Sequence, residues 1–120
     1  MARSVLIVDD DPEFLALAGG IVSELGVDVV ALAANAAQAL RVAGDSRPDA
    51  ALVDVGLPDR NGIDLAYELS EMPWNPRVVL TSSDSEAFHA IDTRERPPRL
   101  PFIAKEELAS DSLRRLLTNA

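Results

Sequence analysis

The chain has 120 residues, of which 48% are apolar, and this length suits one compact domain because single domains usually run to about 100–150 residues. The formal charge of -9 argues against binding to nucleic acid or anionic membranes, and the absence of cysteine excludes disulfides and thiolate metal sites. The sequence has one histidine, His89, no apolar run near the ~18 residues of a membrane span and no signal-peptide pattern, so we expect a cytoplasmic protein that would bind any metal through oxygen.

Five short apolar runs recur along the chain. Each has the length of a strand and is apolar on successive residues, as expected of strands covered on both faces of a sheet. They cover residues 5–8, 27–32, 50–53, 78–80 and 102–104.

Segments with helical spacing follow these runs. Apolar residues from Phe14 to Leu25 recur on one helical face, although Gly19 and Gly20 weaken the helix. Further helices are predicted from Asn35 to about residue 43, from Asn61 to Pro73, from residue 84 or 85, and from Glu106. The fourth is expected to be short because three prolines fall within residues 92–101. Five repetitions of strand then helix predict an α/β fold with a doubly wound, five-stranded parallel sheet.

Polar side chains end four of the predicted strands. Asp9 and Asp10 follow the first run, Asp54 the third, Thr81 the fourth and Lys105 the fifth. Open parallel sheets bind ligands beyond the carboxyl ends of their strands, so we expect these residues to surround one crevice. Two carboxylates about 4 Å apart repel each other by about 4 kcal/mol at an effective dielectric constant near 20. The cluster therefore needs positive charge from the lysine and from a divalent cation.

The ligands available to that cation are hard oxygens. They favour Mg²⁺, Mn²⁺ or Ca²⁺, and a site of few carboxylates that leaves room for waters and a phosphoryl group suits octahedral Mg²⁺. A carboxylate can also attack a phosphoryl group and form an aspartyl phosphate once the charge on the transferring oxygens is neutralised. Asp54 is the candidate nucleophile, because it stands alone at the end of a central strand, and Thr81 and Lys105 are candidate partners of the phosphoryl oxygens.

Four segments of the sequence resemble the receiver domain of bacterial two-component response regulators, in the order expected of that family. The resemblance covers essentially the whole chain and implies one receiver domain over residues 1–120, similar to single-domain chemotaxis response regulators and without an output domain. It also implies a flavodoxin-like (βα)5 fold with strand order 2-1-3-4-5. The segments are VLIVDDDP at residues 5–12, ALVDVGLPDRNG at 51–62, VVLTS at 78–82 and PFIAK at 101–105.

The resemblance implies that Asp54 accepts phosphate from a phosphohistidine on a sensor histidine kinase or a histidine phosphotransfer protein. Mg²⁺, with Mn²⁺ as an alternative, would be bound by Asp54, directly by Asp10, through water by Asp9, and by the carbonyl of Gly56.

The switch residues are also implied by the resemblance. Thr81 would bond to the phosphoryl oxygen and move on activation, Lys105 would pair with another phosphoryl oxygen, and Phe102 would change rotamer as Thr81 moves. The surface of the fourth helix, fifth strand and fifth helix would then change its binding to a downstream protein, with a homodimer as a further option.

The sequence departs from the family pattern at several positions. Glu106 follows the lysine where family members often have a cis proline, so we expect a trans bond there, because a non-proline cis bond costs about 3–4 kcal/mol. The proline-rich residues 94–101 replace the usual small residues before the last strand. Gly56 and Ser83 stand where a carboxylate or amide can position the attacking water, which predicts slow autodephosphorylation.

Two other functions stay open at this stage. One is a Mg²⁺-dependent phosphatase or phosphotransferase that uses Asp54, although hydrolases of the haloacid-dehalogenase type require a second acid where Gly56 stands. The other is a pseudo-receiver, a protein-binding module that keeps the fold and takes no phosphate. We favour the receiver, which is a signalling switch and not an enzyme acting on a separate substrate.

Overall fold

Five parallel strands form a single sheet in the computed structural model, which describes residues 4–82, 100–105 and 115. The strand order is β2-β1-β3-β4-β5, which confirms the predicted doubly wound sheet and its flavodoxin-like order. The elements are β1 (Ser4–Val8), α1 (Pro12–Glu24), β2 (Asp28–Ala33), α2 (Ala36–Ser46), β3 (Ala50–Asp54), α3 (Gly62–Ser70), β4 (Arg77–Ser82) and β5 (Phe102–Ala104). The predicted fourth and fifth helices, with Ser83, His89, Glu106 and most of residues 92–101, lie outside the described residues.

Alternate residues of the central strands pack on opposite faces of the sheet. Val5 and Ile7 of β1 contact a cluster built on α1, whereas Leu6 and Val8 contact a cluster built on α2 and α3. Every residue of β3 is buried. Both faces of the central sheet are therefore covered, and the apolar runs predicted from the sequence match these strands.

Strand β2 differs from the prediction because it lies at the edge of the sheet. Val30 is 43% exposed and Leu32 is 44% exposed, so the expected burial on both faces is wrong for this run. Val5 pairs with Val29 and Leu6 with Ala31, which leaves Val30 as an extra residue between them. Such a bulge is typical of edge strands, where fewer neighbours fix the pairing.

The three described helices begin at polar capping residues, two of which, Asn35 and Asn61, stand at the predicted helix starts. Asp11, Asn35 and Asn61 each accept a hydrogen bond from a backbone N–H in the first turn of α1, α2 and α3, respectively. Helix α2 ends at Ser46, beyond the expected residue 43, and Arg47 closes it in the left-handed conformation with φ 45°. None of these helices has the length and apolar composition needed to cross a bilayer.

Gly62 brings the start of α3 against the end of β3. A Cβ atom at this position would collide with the carbonyl oxygen of Asp54 and would lie 2.7 Å from Cα of Val55. The Gly62 N–H donates to the carbonyl oxygen of Val55 over 3.0 Å. Only glycine allows this close approach, which fixes the loop after Asp54.

Candidate functional site

The polar residues at the carboxyl ends of the strands meet in one cluster, as predicted. One carboxylate oxygen from each of Asp9, Asp10 and Asp54 lies within 4.8 Å of the others. Thr81 is paired in register with Asp54 on the neighbouring strand, and Lys105 follows β5 directly. The parallel sheet thus places three carboxylates, one hydroxyl and one ammonium at the same edge.

Lys105 forms the positive centre of this cluster. Its Nζ atom lies 2.6 Å from Oδ2 of Asp9 and 3.4 Å from Oδ1 of Asp54. The same atom lies 4.2 Å from the centre of the Phe14 ring, close enough for a cation–π contact. Burial alone would lower the pKa of Lys105, but the neighbouring carboxylates of Asp9 and Asp54 outweigh it and raise the pKa. The lysine is therefore held in its charged form.

Asp54 is buried, with 6% of its surface exposed. Burial, and secondly the negative charge of Asp9, raise the pKa of Asp54, while Lys105 and the Gly56 N–H oppose this shift. The Gly56 N–H donates to Oδ2 of Asp54 over 3.2 Å. The Gly56 N–H thus orients this carboxylate, and Lys105 offsets only part of the cost of burying its negative charge.

The two consecutive aspartates differ in exposure. Asp9 is fully buried, and its Oδ1 atom accepts a hydrogen bond of 2.9 Å from the backbone N–H of Asp11. Asp10 is exposed to solvent. The first side chain is therefore fixed inside the crevice, and the second is accessible to an ion that enters from solvent.

The donor set suits a divalent cation and a phosphoryl group. Three carboxylates face one ammonium, so the cluster keeps excess negative charge, and all three are hard oxygen ligands of the kind that Mg²⁺ prefers. Thr81 is fully buried, and its Oγ1 atom has no hydrogen-bond partner among the described residues. Because a buried hydroxyl without a partner is costly, this atom indicates a position for an external acceptor.

Phe102, the predicted switch aromatic, is half-buried on β5 and packs against the apolar cluster on the α2 and α3 side of the sheet. It pairs in register with Leu80, while its neighbour Ile103 pairs with Thr81. The structure therefore places Phe102 on the strand next to Thr81.

Two residues of this region were missed in the sequence. The helical spacing predicts Phe14 only as part of a buried stripe, although its ring contacts Nζ of Lys105. The sequence pattern predicts no role for Asp59, yet its carboxylate accepts hydrogen bonds from the backbone N–H groups of Ala36, at 2.9 Å, and Ala37, at 3.1 Å. No local pattern could predict the second contact, because it joins a loop to a helix that precedes it by more than twenty residues.

The sequence matches the family model described as the response regulator receiver domain over residues 5–111. The chemotaxis protein CheY of Bacillus subtilis is 30% identical over 92 residues, which cover 77% of this chain and 77% of that protein. A protein-glutamate methylesterase/protein-glutamine glutaminase of Hahella chejuensis is 37% identical over 81 residues, covering 68% of this chain. The chain spans 23% of the length of that enzyme, so only part of the relative is matched.

Solved structures show the same similarity. The signal receiver domain of a modulated diguanylate cyclase from Desulfovibrio desulfuricans has a TM-score of 0.78 at 31% identity, covering 97% of this chain and 90% of that one. The chemotaxis protein CheY4 of Vibrio cholerae has a TM-score of 0.81 at 19% identity, covering 98% of this chain and 100% of that one. The second match shows a shared fold.

Proposed function

Because the chain belongs to the family of response regulator receiver domains, we propose that it is a signalling switch that accepts a phosphoryl group on Asp54. The donor is a phosphohistidine of a sensor histidine kinase or a histidine phosphotransfer protein. The observation that carries this proposal is the arrangement around one buried carboxylate. Asp54 lies 3.4 Å from the ammonium of Lys105, beside a buried Thr81 hydroxyl without a partner among the described residues.

The transfer follows from these positions. A carboxylate oxygen of Asp54 attacks phosphorus, the bond from phosphorus to the imidazole nitrogen breaks, and its electron pair returns to the histidine ring of the donor. Lys105 pairs with one phosphoryl oxygen, and the hydroxyl of Thr81 donates to another. Mg²⁺ neutralises charge on the phosphoryl oxygens when bound, and the residues that would hold it are Asp9, Asp10, Asp54 and the carbonyl of Gly56.

The switch begins with the hydroxyl of Thr81. When Thr81 bonds to the phosphoryl group, β4 shifts towards the site, and Phe102 changes rotamer on the adjacent strand. The surface around β5 then alters its binding to a downstream protein in the cytoplasm. The acidic charge of -9 supports a protein partner over nucleic acid.

Intact-mass spectrometry after incubation with phosphoramidate tests this function, because that small donor carries the same P–N bond as phosphohistidine. We expect a phosphoryl adduct that requires Mg²⁺ on the wild type and on Asp45→Asn, an exposed α2 carboxylate used as the control. Asp54→Asn should carry no adduct. An adduct on Asp54→Asn, or an adduct independent of Mg²⁺, would contradict the assignment, and its absence from all three proteins would favour a pseudo-receiver.

Gly56 adds a kinetic expectation. A Cβ atom at this position would lie 3.5 Å from Oδ2 of Asp54, so a longer polar side chain could reach the phosphoryl group. Glycine offers no such group to orient an attacking water, and the phosphorylated protein should therefore lose its phosphate slowly. Gly56→Asn should shorten the lifetime of the adduct, measured by mass spectrometry after removal of the donor.

A further inference from the structure

The N-terminus of α2 is capped by two separate parts of the chain. The N–H of Gln38 donates to Oδ1 of Asn35 over 2.8 Å, within the helix's own capping sequence. The N–H groups of Ala36 and Ala37 donate instead to the two carboxylate oxygens of Asp59. A negative charge at this position also suits the positive end of the helix dipole.

Asp59 belongs to the loop of residues 55–61, which joins β3 to α3 and carries Gly56. The base of this loop is closed by the hydrogen bond from the Gly62 N–H to the Val55 carbonyl, and Val55 donates its own N–H to the Thr81 carbonyl over 3.0 Å. Leu57 is buried in the apolar cluster below. The contact of Asp59 with α2 fixes the far side of the loop.

Helix α2 is a firm anchor for this contact. Ala36, Ala39 and Ala43 are fully buried in the cluster between α2, α3 and the sheet, so the first turn of the helix is held by packing. The loop also carries an ion pair between Arg60 and Glu68 of α3, but this pair is exposed to solvent, and such pairs contribute little. Leu57 therefore anchors the loop by packing, and Asp59, whose side chain is exposed, ties the loop to the first turn of α2 through two hydrogen bonds.

We propose that Asp59 is a positioning residue that uses the N-terminus of α2 to hold residues 55–61 in the conformation that presents Gly56 to Asp54. This inference rests on the proposed phosphoacceptor function. Asp59 lies outside the acidic cluster, and its contact with α2 would hold the loop so that the Gly56 N–H donates to Asp54 without rearrangement.

Asp59→Ala and Asn35→Ala form a matched pair to test this role. Each variant removes a side-chain cap from the first turn of α2, and each should lower Tm. Only Asp59→Ala should also release the loop of residues 55–61. Hydrogen exchange of the Gly62 amide, followed by NMR, should become several-fold faster in Asp59→Ala and stay unchanged in Asn35→Ala. Equal exchange in the two variants would overturn the proposal.

The rate of phosphoryl uptake from phosphoramidate gives a second readout. Asp59→Ala should lower this rate several-fold and raise the Mg²⁺ concentration needed for half of the maximal rate, whereas Asn35→Ala should keep both values. Asp59→Asn, which retains one acceptor oxygen, should be intermediate. Equal rates in wild type and Asp59→Ala would overturn the inference. If the wild type takes up no phosphate, the proposed function fails, and the exchange of the Gly62 amide still decides whether Asp59 holds the loop.

Discussion

The polar groups at the two ends of the sheet differ in how fully they are paired within the protein. At the amino ends of the strands, the carboxylate of Asp49 accepts hydrogen bonds from the backbone N–H and the hydroxyl of Ser4, over 3.0 Å and 3.2 Å. The indole of Trp74 donates to the carbonyl of Pro48 over 2.9 Å. At the carboxyl ends, the Thr81 hydroxyl lacks a partner among the described residues, and only two of the three clustered carboxylates, Asp9 and Asp54, contact Lys105.

This contrast distinguishes the groups that stabilise the fold from the groups that are available to a ligand. Polar groups that find partners inside the protein stabilise the fold, whereas partly compensated charges lower its stability and leave capacity for a ligand. The amino end joins the loop after α2 to the loop after α3, and the carboxyl end holds the acidic cluster on which the proposed binding of a cation and a phosphoryl group rests. Substitutions at the two ends should therefore have different consequences.

The largest loss of stability is expected for Lys105→Met. Removal of the ammonium leaves the buried Asp9 carboxylate without a counter-charge, and breaking such a pair costs about 3–5 kcal/mol when both groups are buried. The partial exposure of Lys105 reduces this to about 2–3 kcal/mol of unfolding free energy, measured by urea denaturation. The control is Arg60→Met, which breaks an exposed ion pair of 2.7 Å and should cost less than about 1 kcal/mol. Similar losses in both variants would contradict the role assigned to burial.

A loss of about 1–3 kcal/mol is expected for Gly62→Ala, because the added methyl group collides with backbone atoms of Asp54 and Val55. The collision should also displace Asp54, and this displacement should slow phosphoryl uptake because Asp54 is the proposed acceptor. Gly44→Ala is the matched control: it lies within α2 with no atom within 4 Å of the new Cβ, so it should stabilise the protein by about 0.5–1 kcal/mol. If Gly62→Ala is as stable as the wild type, the close approach is not required.

A loss of about 1 kcal/mol is expected for Trp74→Phe at the amino end. The substitution removes the hydrogen bond to Pro48 and weakens the contact with Arg47, whose guanidinium lies 5.8 Å from the centre of the indole. The rate of phosphoryl uptake should stay at the wild-type value, because no atom of the cluster is touched. A fall in this rate at unchanged folding would show that the two ends are coupled.

The smallest effect concerns pH. The backbone hydrogen bond from Ala36 is the main reason that the pKa of Asp59 is lowered from its ordinary value of 3.8. A lowered folded-state pKa means that Asp59 stabilises the protein at neutral pH and that this contribution disappears as pH falls through the folded-state pKa. The difference in Tm between wild type and Asp59→Ala should therefore shrink below about pH 4. The difference between wild type and Asn35→Ala should stay constant in the same scans, because the Asn35 side chain does not titrate.

Much of the fold and of the acidic cluster could be predicted from the sequence. Apolar runs of strand length and polar residues at their ends are local signals, and parallel topology converts them into one site, so Asp54 and Lys105 could be placed together. The bulge at Val30 depends on the edge position of β2, and the cap by Asp59 depends on the packing of a loop against a distant helix. Neither feature follows from a local sequence pattern or propensity, and both can be recognised only in the assembled fold.

Thermal unfolding of the wild type and Asp54→Asn, with Mg²⁺ titrated into each, tests the central claim most directly. Burial and the charge of Asp9 raise the pKa of Asp54, so the ionised carboxylate opposes folding at neutral pH, and Asp54→Asn should melt higher than the wild type without Mg²⁺. Mg²⁺ should raise the Tm of the wild type steadily as its concentration increases above the Kd, and should change that of Asp54→Asn much less. If Asp54→Asn melts no higher without Mg²⁺, and Mg²⁺ shifts both proteins equally, the carboxyl end of the sheet is not the under-compensated cation site described above.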